Sequence, residues 1–447
     1  MERAGRMSTT TMRTRTPQVG SLDKAKVRGS RRSVPRPQRH GPVGTPALRD
    51  PKSGDTSGNS GVDSKGRLAN FSAGPAMVYE EVLHKCQLDL MNFEGKGLSV
   101  MEMSHRGASF TKIIEEAEQD LRDLLRIPET YEVLFMQGGA TAQFAAVPYN
   151  LGWRHDPSDV AYAPRADFLT TGSWSKKAVA EAKKVGVEAN VLATGDNKSI
   201  PSDVSAFDYG DADTRAQSAY LHLCANETIQ GVEFKGLGSL GSVVGKGGQL
   251  QGAPIVADMS SNFCSKPVNV EDYGVIYAGA QKNVGPAGVT IVIVRKDLLG
   301  SPKAGTPTML DWTVMSENKS LYNTPPCFSI YVCGLVFKHL LSLGGLDKVE
   351  QINKAKCGLL YDCIKQSQGY YDCPVDPKCR SAMNVPFTIP GHEDLEKVFV
   401  QEAEAAGLIN LKGHRSVGGM RASIYNAMPM QGVEKLVAFM KDFQAKH

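Results

Sequence analysis

The chain has 447 residues, of which 41% are hydrophobic and 22% charged, with a formal net charge of +4; these values are ordinary for a soluble globular protein with room for two domains. No apolar run approaches the roughly 20 residues that a membrane-spanning helix needs, so a membrane role is not expected. The nine cysteines form no CxxC pair and no His/Cys cluster, which argues against a disulfide scaffold and against a bound metal.

The basic character of the chain belongs to residues 1–68. They hold fifteen Lys/Arg and five Asp/Glu, so they carry +10 and leave −6 for the other 379 residues. Rich in Arg, Ser, Thr, Pro and Gly, this leader is expected to be disordered. It has the composition of an organelle transit peptide, for a plastid rather than a mitochondrion, or of a plain tail on a cytoplasmic protein. A nucleic-acid-binding arm is disfavoured because no aromatic residues interleave the arginines.

From residue 68 onward, apolar strands alternate with amphipathic helices, which predicts an α/β fold with a mostly parallel sheet. The helical spacing of apolar residues between 113 and 125 predicts a helix before the first strand. The strands expected in a sheet of about seven are 133–136, 167–171, 219–223, 255–257, 275–277 and 290–294.

The C-terminal part follows a different pattern. After a helix near 331–343, the sequence predicts an α+β tail with its boundary near residue 340. The expected elements are helices near 347–366 and 395–406, strands near 382–388, 408–411 and 420–423, and a terminal helix. Cys373 and Cys379 flank a turn in this tail and are interpreted as two free thiols on a surface loop.

Two polar residues stand where apolar strands end. Asp258 closes the strand 255–257, and Lys282 follows the strand 275–277 on a turn-rich connection. Open α/β sheets bind their ligands at the carboxyl ends of strands. Pyridoxal phosphate (PLP) needs an amine to hold it and a carboxylate to keep its ring nitrogen protonated. Either residue alone would usually be a turn cap or a solvated side chain, but their joint placement predicts a PLP site.

A glycine-rich turn, Gln137-Gly138-Gly139-Ala140-Thr141, follows the first strand and opens a helix. Free backbone N–H groups at a helix N-terminus attract an anion. Most Gly-Gly pairs only shape a turn, but the position of this pair ahead of Asp258 and Lys282 favours a phosphate site.

An indole is expected at the carboxyl end of the strand 167–171. Trp174, beside Ser173 as the expected N-cap, could stack there on an aromatic ring, although by position alone such a residue more often belongs to the core.

Eight segments of the chain closely resemble the phosphoserine aminotransferases, which are fold-type I PLP enzymes of aminotransferase class V. The resemblance runs from about residue 70 to the C-terminus. The segments are 70–76 (NFSAGPA), 103–106 (MSHR), 137–144 (QGGATAQF), 226–228 (NET), 257–261 (ADMSS), 277–283 (YAGAQKN), 323–326 (NTPP) and 413–423 (GHRSVGGMRAS).

The resemblance implies a three-layer sandwich with a seven-stranded sheet and a smaller α+β domain. The domains implied are a leader at 1–68, an N-terminal strap at 69–83 that packs with the small domain, a large PLP-binding domain at 84–340 and a small domain at 341–447. The activity implied is amino transfer between L-glutamate and 3-phosphohydroxypyruvate, giving O-phospho-L-serine and 2-oxoglutarate in the phosphorylated pathway of serine biosynthesis.

The resemblance also assigns roles to residues around the cofactor. Lys282 and Asp258 are the implied catalytic residues. The implied PLP contacts are Ala140, Thr141, Trp174, Thr228, Asp258, Gln281 and Lys282, with Asn323 and Thr324 contributed by the neighbouring subunit. Many bacterial relatives have Gly-Arg in place of Ala140-Thr141, so a hydroxyl replaces a guanidinium here.

A substrate that carries a phosphate and a carboxylate needs at least two guanidinium-like partners, because Arg binds both groups in a bidentate manner. Basic residues on loops are usually solvated. By resemblance, Arg421 binds the α-carboxylate, His414 and Arg415 bind the substrate phosphate, and Ser72 lies near the amino acid. His105 and Arg106 would join them from a partner chain, which implies a homodimer with shared active sites.

Two alternatives stay open from the sequence. One is a different PLP enzyme, such as a cysteine desulfurase or an alanine–glyoxylate aminotransferase, neither of which needs the basic pairs at 105–106 and 414–415. The other is a non-catalytic protein that binds a partner through its basic arm, against which the intact Lys282 and Asp258 argue. No nucleic-acid or membrane partner is expected.

Overall fold

The computed structural model describes residues 66–153 and 164–447. The predictions for the leader at 1–68 therefore lie outside the described residues, apart from 66–68. The strands are β1 (Ala69–Asn70), β2 (Tyr131–Met136), β3 (Arg165–Thr170), β4 (Glu188–Thr194), β5 (Ser218–Cys224), β6 (Asn226–Glu227), β7 (Val232–Glu233), β8 (Ile255–Asp258), β9 (Val275–Gly279), β10 (Thr290–Arg295), β11 (Asn384–Phe387), β12 (Leu408–Ile409) and β13 (Met420–Ser423).

Helices lie between and after these strands. They are α1 (Glu80–Asp89), α2 (Ala108–Leu125), α3 (Gly139–Leu151), α4 (Ser173–Val185), α5 (Ala212–Ala216), α6 (Leu240–Val244), α7 (Trp312–Glu317), α8 (Cys327–Ser342), α9 (Gly345–Gln366), α10 (Glu393–Ala405) and α11 (Met430–Lys446).

Seven strands form the central sheet, in the order β2-β10-β9-β8-β5-β3-β4. Neighbours are parallel except that β10 runs antiparallel to both β2 and β9. The predicted α/β fold with a mostly parallel sheet is confirmed, and so are the six strands predicted for it. The sequence did not indicate β4, because this edge strand mixes exposed and buried positions without an apolar run.

The sheet is covered on both faces, which gives the expected three layers. Side chains alternate between the two faces of a strand. In β2, Val133 and Phe135 therefore join one apolar cluster, whereas Leu134 and Met136 join another. Helix α2 packs in the first cluster through the apolar positions predicted from its helical spacing, all of them buried, and α3 and α4 pack in the second.

The C-terminal part has an apolar cluster of its own. There β11 and β13 pair antiparallel, and α9, α10 and α11 contribute Leu360, Phe399 and Phe443. Ala69 and Phe71 belong to the same cluster, because β1 pairs in parallel with β12. The α+β character of the tail is confirmed, while the division into a strap at 69–83 and domains at 84–340 and 341–447 stays a prediction.

Two local predictions are wrong. Ser173 is the first residue of α4, and the residue that precedes the helix is Gly172. Cys373 and Cys379 are free thiols, but they are only 4% and 5% exposed, because both pack in the C-terminal apolar cluster.

Within the described ranges, no single helix is both long and apolar enough to cross a membrane. Helices α8 and α9 meet that condition only as a pair, by length and composition, and they are bent by 86° at their junction. Both contribute buried side chains to the apolar clusters.

Candidate active site

The carboxyl ends of β8 and β9 bring Asp258 and Lys282 to one edge of the sheet. The two strands pair in parallel, with Asp258 opposite Tyr277, and Lys282 lies on the short connection from β9 to β10. Burial lowers the pKa of Lys282, and the negative charge of Asp258 opposes that shift. The amine and the carboxylate are therefore electrostatic neighbours at the site where the sequence predicts them.

The Lys282 amine contacts two further predicted residues. Its Nζ donates a hydrogen bond of 2.7 Å to Thr228 Oγ1, and it lies 5.0 Å from the centroid of the Trp174 ring. Thr228 is 2% exposed. A hydroxyl and an indole thus surround the amine from two separate elements.

Asp258 is 4% exposed and is held by its neighbour Ser260. Its Oδ1 accepts hydrogen bonds from the backbone N–H and the hydroxyl of Ser260, at 2.9 and 2.6 Å. The same hydroxyl oxygen accepts from the N–H of Gly279 at 3.0 Å. Burial raises the pKa of Asp258, and the Lys282 charge and the Ser260 hydrogen bonds oppose it. A cation beside this buried carboxylate would be strongly stabilised.

The predicted phosphate turn lies beside the end of β9. Gly138 and Gly139 have φ angles of 90° and 67°, a region that favours glycine. They direct the first turn of α3, with Ala140 and Thr141, toward the sheet edge, and a Cβ at Gly279 would lie 3.7 Å from the Ala140 nitrogen. The first N–H groups of a helix have no partner within the helix, so this turn offers donors to an anion next to the lysine connection.

Trp174 is positioned by the first turn of α4. Its backbone N–H donates to Glu227 Oε2 at 2.9 Å, and the N–H of Ser175 donates to Glu227 Oε1 at the same distance. The ammonium group of Lys177 lies 4.1 Å from the indole centroid. The indole is thus fixed at its backbone and has cations near its ring.

The segment after β1 packs on the lysine connection. The N–H of Ala76 donates to the carbonyl of Gln281 at 2.9 Å, and a Cβ at Gly74 would lie 3.2 Å from Cγ of Lys282. Ser72 Oγ accepts from the N–H of Gly74 at 3.3 Å. The structure therefore brings Ser72 and Gln281 into the neighbourhood of the lysine.

Basic residues lie on β13 and on the loop before it. Arg421 Nη1 donates to the Thr228 carbonyl at 3.4 Å, and His414 Nδ1 lies 2.7 Å from Ser416 Oγ. Burial lowers the pKa of His414, and the positive charges of Arg421, Arg415 and Lys177 lower it further. These side chains create a positive field.

The predicted residues without a described contact to Lys282 include the four that the resemblance assigns to the neighbouring subunit, which are His105, Arg106, Asn323 and Thr324. His105 is partly buried and Arg106 is exposed. Thr324 is linked to the phosphate turn only through its carbonyl, which accepts from Gln137 Nε2 at 3.4 Å. Within the described part of the chain, His105 Nε2 and Asn323 Oδ1 are buried without a hydrogen-bond partner.

Comparison with known proteins identifies the family. Residues 68–436 match the family described as aminotransferase class-V. The chain is 57% identical over 386 residues to phosphoserine aminotransferase 1, chloroplastic, of Arabidopsis thaliana, covering 86% of this chain and 84% of that protein.

Comparison with solved structures supports the same family. Phosphoserine aminotransferase from Bacillus circulans subsp. alkalophilus has a TM-score of 0.77 at 42% identity, over 85% of this chain and 99% of the other. The PLP-bound enzyme from Trichomonas vaginalis has a TM-score of 0.75 at 38% identity, over 84% and 100%. The chain belongs to the phosphoserine aminotransferases. The predicted assignment to this family of PLP-dependent aminotransferases, and its fold class, are confirmed.

The site fits the cofactor that phosphoserine aminotransferases use. It combines a lysine amine, a buried carboxylate and a helix N-terminus that suits a phosphate. Trp174 Nε1 and Arg421 Nε are buried and have no hydrogen-bond partner within the described ranges, so donors remain for a ligand. No group of His, Cys, Asp or Glu side chains in those ranges is arranged to hold a metal ion.

Sequence reasoning missed three residues of this phosphoserine aminotransferase site. Ser260 holds Asp258, Glu227 holds the start of α4, and Asn283 anchors the lysine connection through the N–H of Asn426, which donates to its Oδ1 at 2.8 Å. Asn283 directly follows Lys282, Glu227 directly precedes Thr228, and Ser260 lies two residues after Asp258, which was a usable signal. The partners of Glu227 lie more than 50 positions away along the chain.

Proposed function

We propose that the protein transfers an amino group from L-glutamate to 3-phosphohydroxypyruvate, giving O-phospho-L-serine and 2-oxoglutarate in serine biosynthesis, with PLP as cofactor. The observation that carries this proposal is the Lys282 amine, which lies between Thr228 and the Trp174 ring and beside the buried Asp258. The names of its relatives support the same reaction.

Each side chain has a role in holding the cofactor. Lys282 would bind PLP covalently, Asp258 would keep its ring nitrogen positive, and Trp174 would cover one face of the ring. The phosphate would be held by the start of α3 with Ala140 and Thr141, by Gln281, and by Asn323 and Thr324 of a second copy. When bound, PLP supplies an electron-withdrawing ring that makes the Cα proton of an amino acid removable.

Proton transfer is the task of Lys282. With the substrate amino acid bound, the free and neutral Nζ of Lys282 would remove the proton from Cα and later return a proton. Burial lowers the pKa of this amine, which favours the neutral form that a base needs. The Thr228 hydroxyl, 2.7 Å away, orients the nitrogen. The second half of the reaction runs the same steps in reverse on the phosphorylated keto acid, which gives ping-pong kinetics.

The basic residues select the substrate. Arg421, with its unpartnered Nε, would grip the α-carboxylate shared by both substrates. His414 and Arg415 would surround the phosphate with His105 and Arg106 of a second copy, and Ser72 would lie near the amino acid. A phosphorylated substrate needs more cationic partners than glutamate does.

Absorbance measurements test the reaction directly. Purified protein should show the visible band of PLP held by a lysine; glutamate should bleach it and 3-phosphohydroxypyruvate should restore it. Lys282→Ala should lose the band while the fold is retained. A coloured protein that ignores glutamate would point to another substrate, and a protein that binds no added PLP would contradict the proposal.

A homodimer with shared sites is the second part of the proposal. Leu88, Met91 and Met101 are 75%, 82% and 60% exposed in the single chain, which is apolar surface of the kind that an interface covers. The unpartnered His105 Nε2 and Asn323 Oδ1 would then find their partners across that interface.

Mixing two inactive variants tests the shared site. In a heterodimer of Lys282→Ala and Arg106→Ala, one of the two sites would have both Lys282 and Arg106 intact. After dissociation and reassociation, activity should return to about a quarter of the wild-type value. A mixture of Lys282→Ala with Arg421→Ala is the matched control, because Arg421 contacts Thr228 beside Lys282 of its own chain. Each site of that heterodimer would lack one of the two residues, so activity should not recover. No recovery for the Arg106 mixture would place Arg106 in its own subunit or outside the site.

The third part of the proposal is a plastid location. Its support is the basic leader, rich in Arg, Ser and Thr, and the word chloroplastic in the name of the Arabidopsis relative. Residues 1–68 fused to a fluorescent protein should deliver it to plastids. A cytoplasmic signal from that fusion would contradict this part alone.

A further inference from the structure

Glu227 is a buried carboxylate to which the reaction proposed above gives no role. It is 0% exposed and lies at the end of β6. No Lys, Arg or His of the described ranges forms an ion pair with it. It lies instead against the first turn of α4, where it accepts from two backbone N–H groups and from the Ser175 hydroxyl at 2.6 Å. From this geometry we infer that Glu227 is a positioning residue that holds Trp174 and Thr228 together as one wall of the cofactor site.

The electrostatics favour a carboxylate at this position. The first N–H groups of a helix lack partners within the helix and carry its positive end. Burial raises the pKa of Glu227, and its hydrogen bonds to Ser175 and Trp174 oppose that shift. Gln230 supports the same turn, because its Oε1 accepts from the N–H of Ser173 and its Nε2 donates to the Ser173 hydroxyl.

The backbone leaves room for this contact only because residue 172 is glycine. A Cβ at Gly172 would lie 2.6 Å from both Glu227 Cδ and Gln230 Oε1, which is shorter than any real carbon contact. The glycine therefore lets the β6–β7 hairpin approach the start of α4. The wrong prediction of Ser173 as N-cap has the same cause, since the capping oxygens come from Glu227.

Glu227 affects the surroundings of Lys282 in two ways. One carboxylate fixes the backbone of Trp174, whose ring lies 5.0 Å from Lys282 Nζ. The residue next to it in the chain, Thr228, accepts the hydrogen bond from that same nitrogen. The negative charge of Glu227 also raises the pKa of Lys282. Loss of the carboxylate should loosen both contacts and remove that charge.

The inference rests on the proposed function only in that PLP must bind at Lys282. Glu227→Gln keeps the side-chain length but offers one acceptor oxygen instead of two. It should weaken the binding of PLP to the apoprotein on the order of tenfold. It should also lower the pH midpoint at which the visible band titrates by about one unit, because the positive charge at the Lys282 nitrogen loses a negative neighbour. Less quenching of tryptophan fluorescence by PLP should accompany these changes.

Glu233→Gln is the matched control. Glu233 is 1% exposed on the partner strand of the same hairpin, but its carboxylate pairs with Lys235 and Lys266. The Glu233→Gln variant should have a lower unfolding midpoint, while its PLP affinity and the pH midpoint of its visible band should not change. Glu227→Asp, which keeps the charge, should recover the titration midpoint more than the affinity.

Three outcomes separate the possibilities. Wild-type titration and affinity in Glu227→Gln, with only a lower unfolding midpoint, would reduce Glu227 to a structural cap and overturn the inference. If Glu227→Gln does not fold, Ser175→Ala removes one of the three donors and should show smaller shifts in the same directions; unchanged values there would overturn it too. Failure of the wild-type protein to bind PLP would instead contradict the proposed function.

Discussion

Arg415 is exposed, yet the proposed function gives it a phosphate to bind. Arg415→Ala should therefore raise KM for 3-phosphohydroxypyruvate by roughly 10- to 100-fold, the range for a charge-assisted hydrogen bond, and change KM for glutamate little. Steady-state kinetics with each substrate varied in turn would measure this. Lys412→Ala removes an exposed cation from the same loop and should affect neither value. An equal loss for both substrates would contradict the role of Arg415.

At the residue scale, the sequence indicated those side chains whose signal is local. Asp258 ends an apolar strand and Lys282 follows another, so strand ends and turn residues indicated a PLP site, and the resemblance of the surrounding segments decided it. The contact between Trp174 and Glu227 joins positions 53 apart in sequence, and no periodic pattern encodes it. The roles of His105 and Arg106 came only from the resemblance, since no local pattern connects them to the lysine.

At the scale of single elements, β5 and β9 are joined inside the sheet by a polar pair. His222 Nε2 lies 2.8 Å from the Tyr277 hydroxyl, and burial lowers the pKa of His222 to about 3. In the unfolded chain its pKa would be about 6.5. Between these two pKa values, His222 is protonated in the unfolded chain but neutral in the folded protein. The contribution of His222 to stability is therefore complete above pH 6.5 and declines as pH falls toward 3, by about 4 to 5 kcal/mol in all.

The variant His222→Gln should lack this part of the pH dependence, since an amide does not titrate. Urea unfolding at pH 7, 5 and 4 would show that its free energy of unfolding declines less than that of the wild type. His84→Gln removes an exposed imidazole and serves as control. Parallel pH curves for His222→Gln and the wild type would contradict the prediction.

The short strand β1 ties the N-terminal segment to two C-terminal strands. The N–H of Phe71 donates to the Ile409 carbonyl at 3.0 Å, and the N–H of Ser423 donates to the Phe71 carbonyl at 3.3 Å. The Phe71 ring is fully buried. Phe71→Ala should cost about 3 to 5 kcal/mol of unfolding free energy, and it should raise KM for glutamate because Ser72 and the strand of Arg421 lose support.

Chemical unfolding and glutamate kinetics would measure the two effects. Leu68→Ala, at a side chain that is 38% exposed, is the control and should change both values little. If Phe71→Ala lowers stability but leaves KM for glutamate unchanged, the segment is structural and has no part in the site.

Element prediction from sequence succeeded where burial is uniform. The six strands of the central sheet whose residues are buried almost throughout were predicted. The edge strand β4 was not, because its burial is mixed along its length. Very short strands such as β6 and β7 were also missed. Their two residues each are too few for any period, although they carry Glu227.

At the scale of the whole molecule, the basic leader should be dispensable for catalysis. The site contacts described above lie within residues 66–447, and we expect them to persist when residues 2–65 are removed. The shortened protein should keep kcat and both KM values within about twofold, as expected for surface changes away from a site. A large loss of turnover after this deletion would show that the leader takes part in the reaction or in assembly.

The order of strands in the sheet has a consequence for how the protein is made. The phosphate turn follows β2, which among the described strands pairs only with β10. A strand that leaves the ribosome early must therefore wait for its partner until residue 295 has been synthesised. Pairing over such a sequence distance is slow and leaves a strand edge open in the meantime. The phosphate turn and Lys282, which lies on the connection from β9 to β10, are therefore expected to come together in a late step. A nascent chain has no place for the cofactor until nearly the whole sheet is closed.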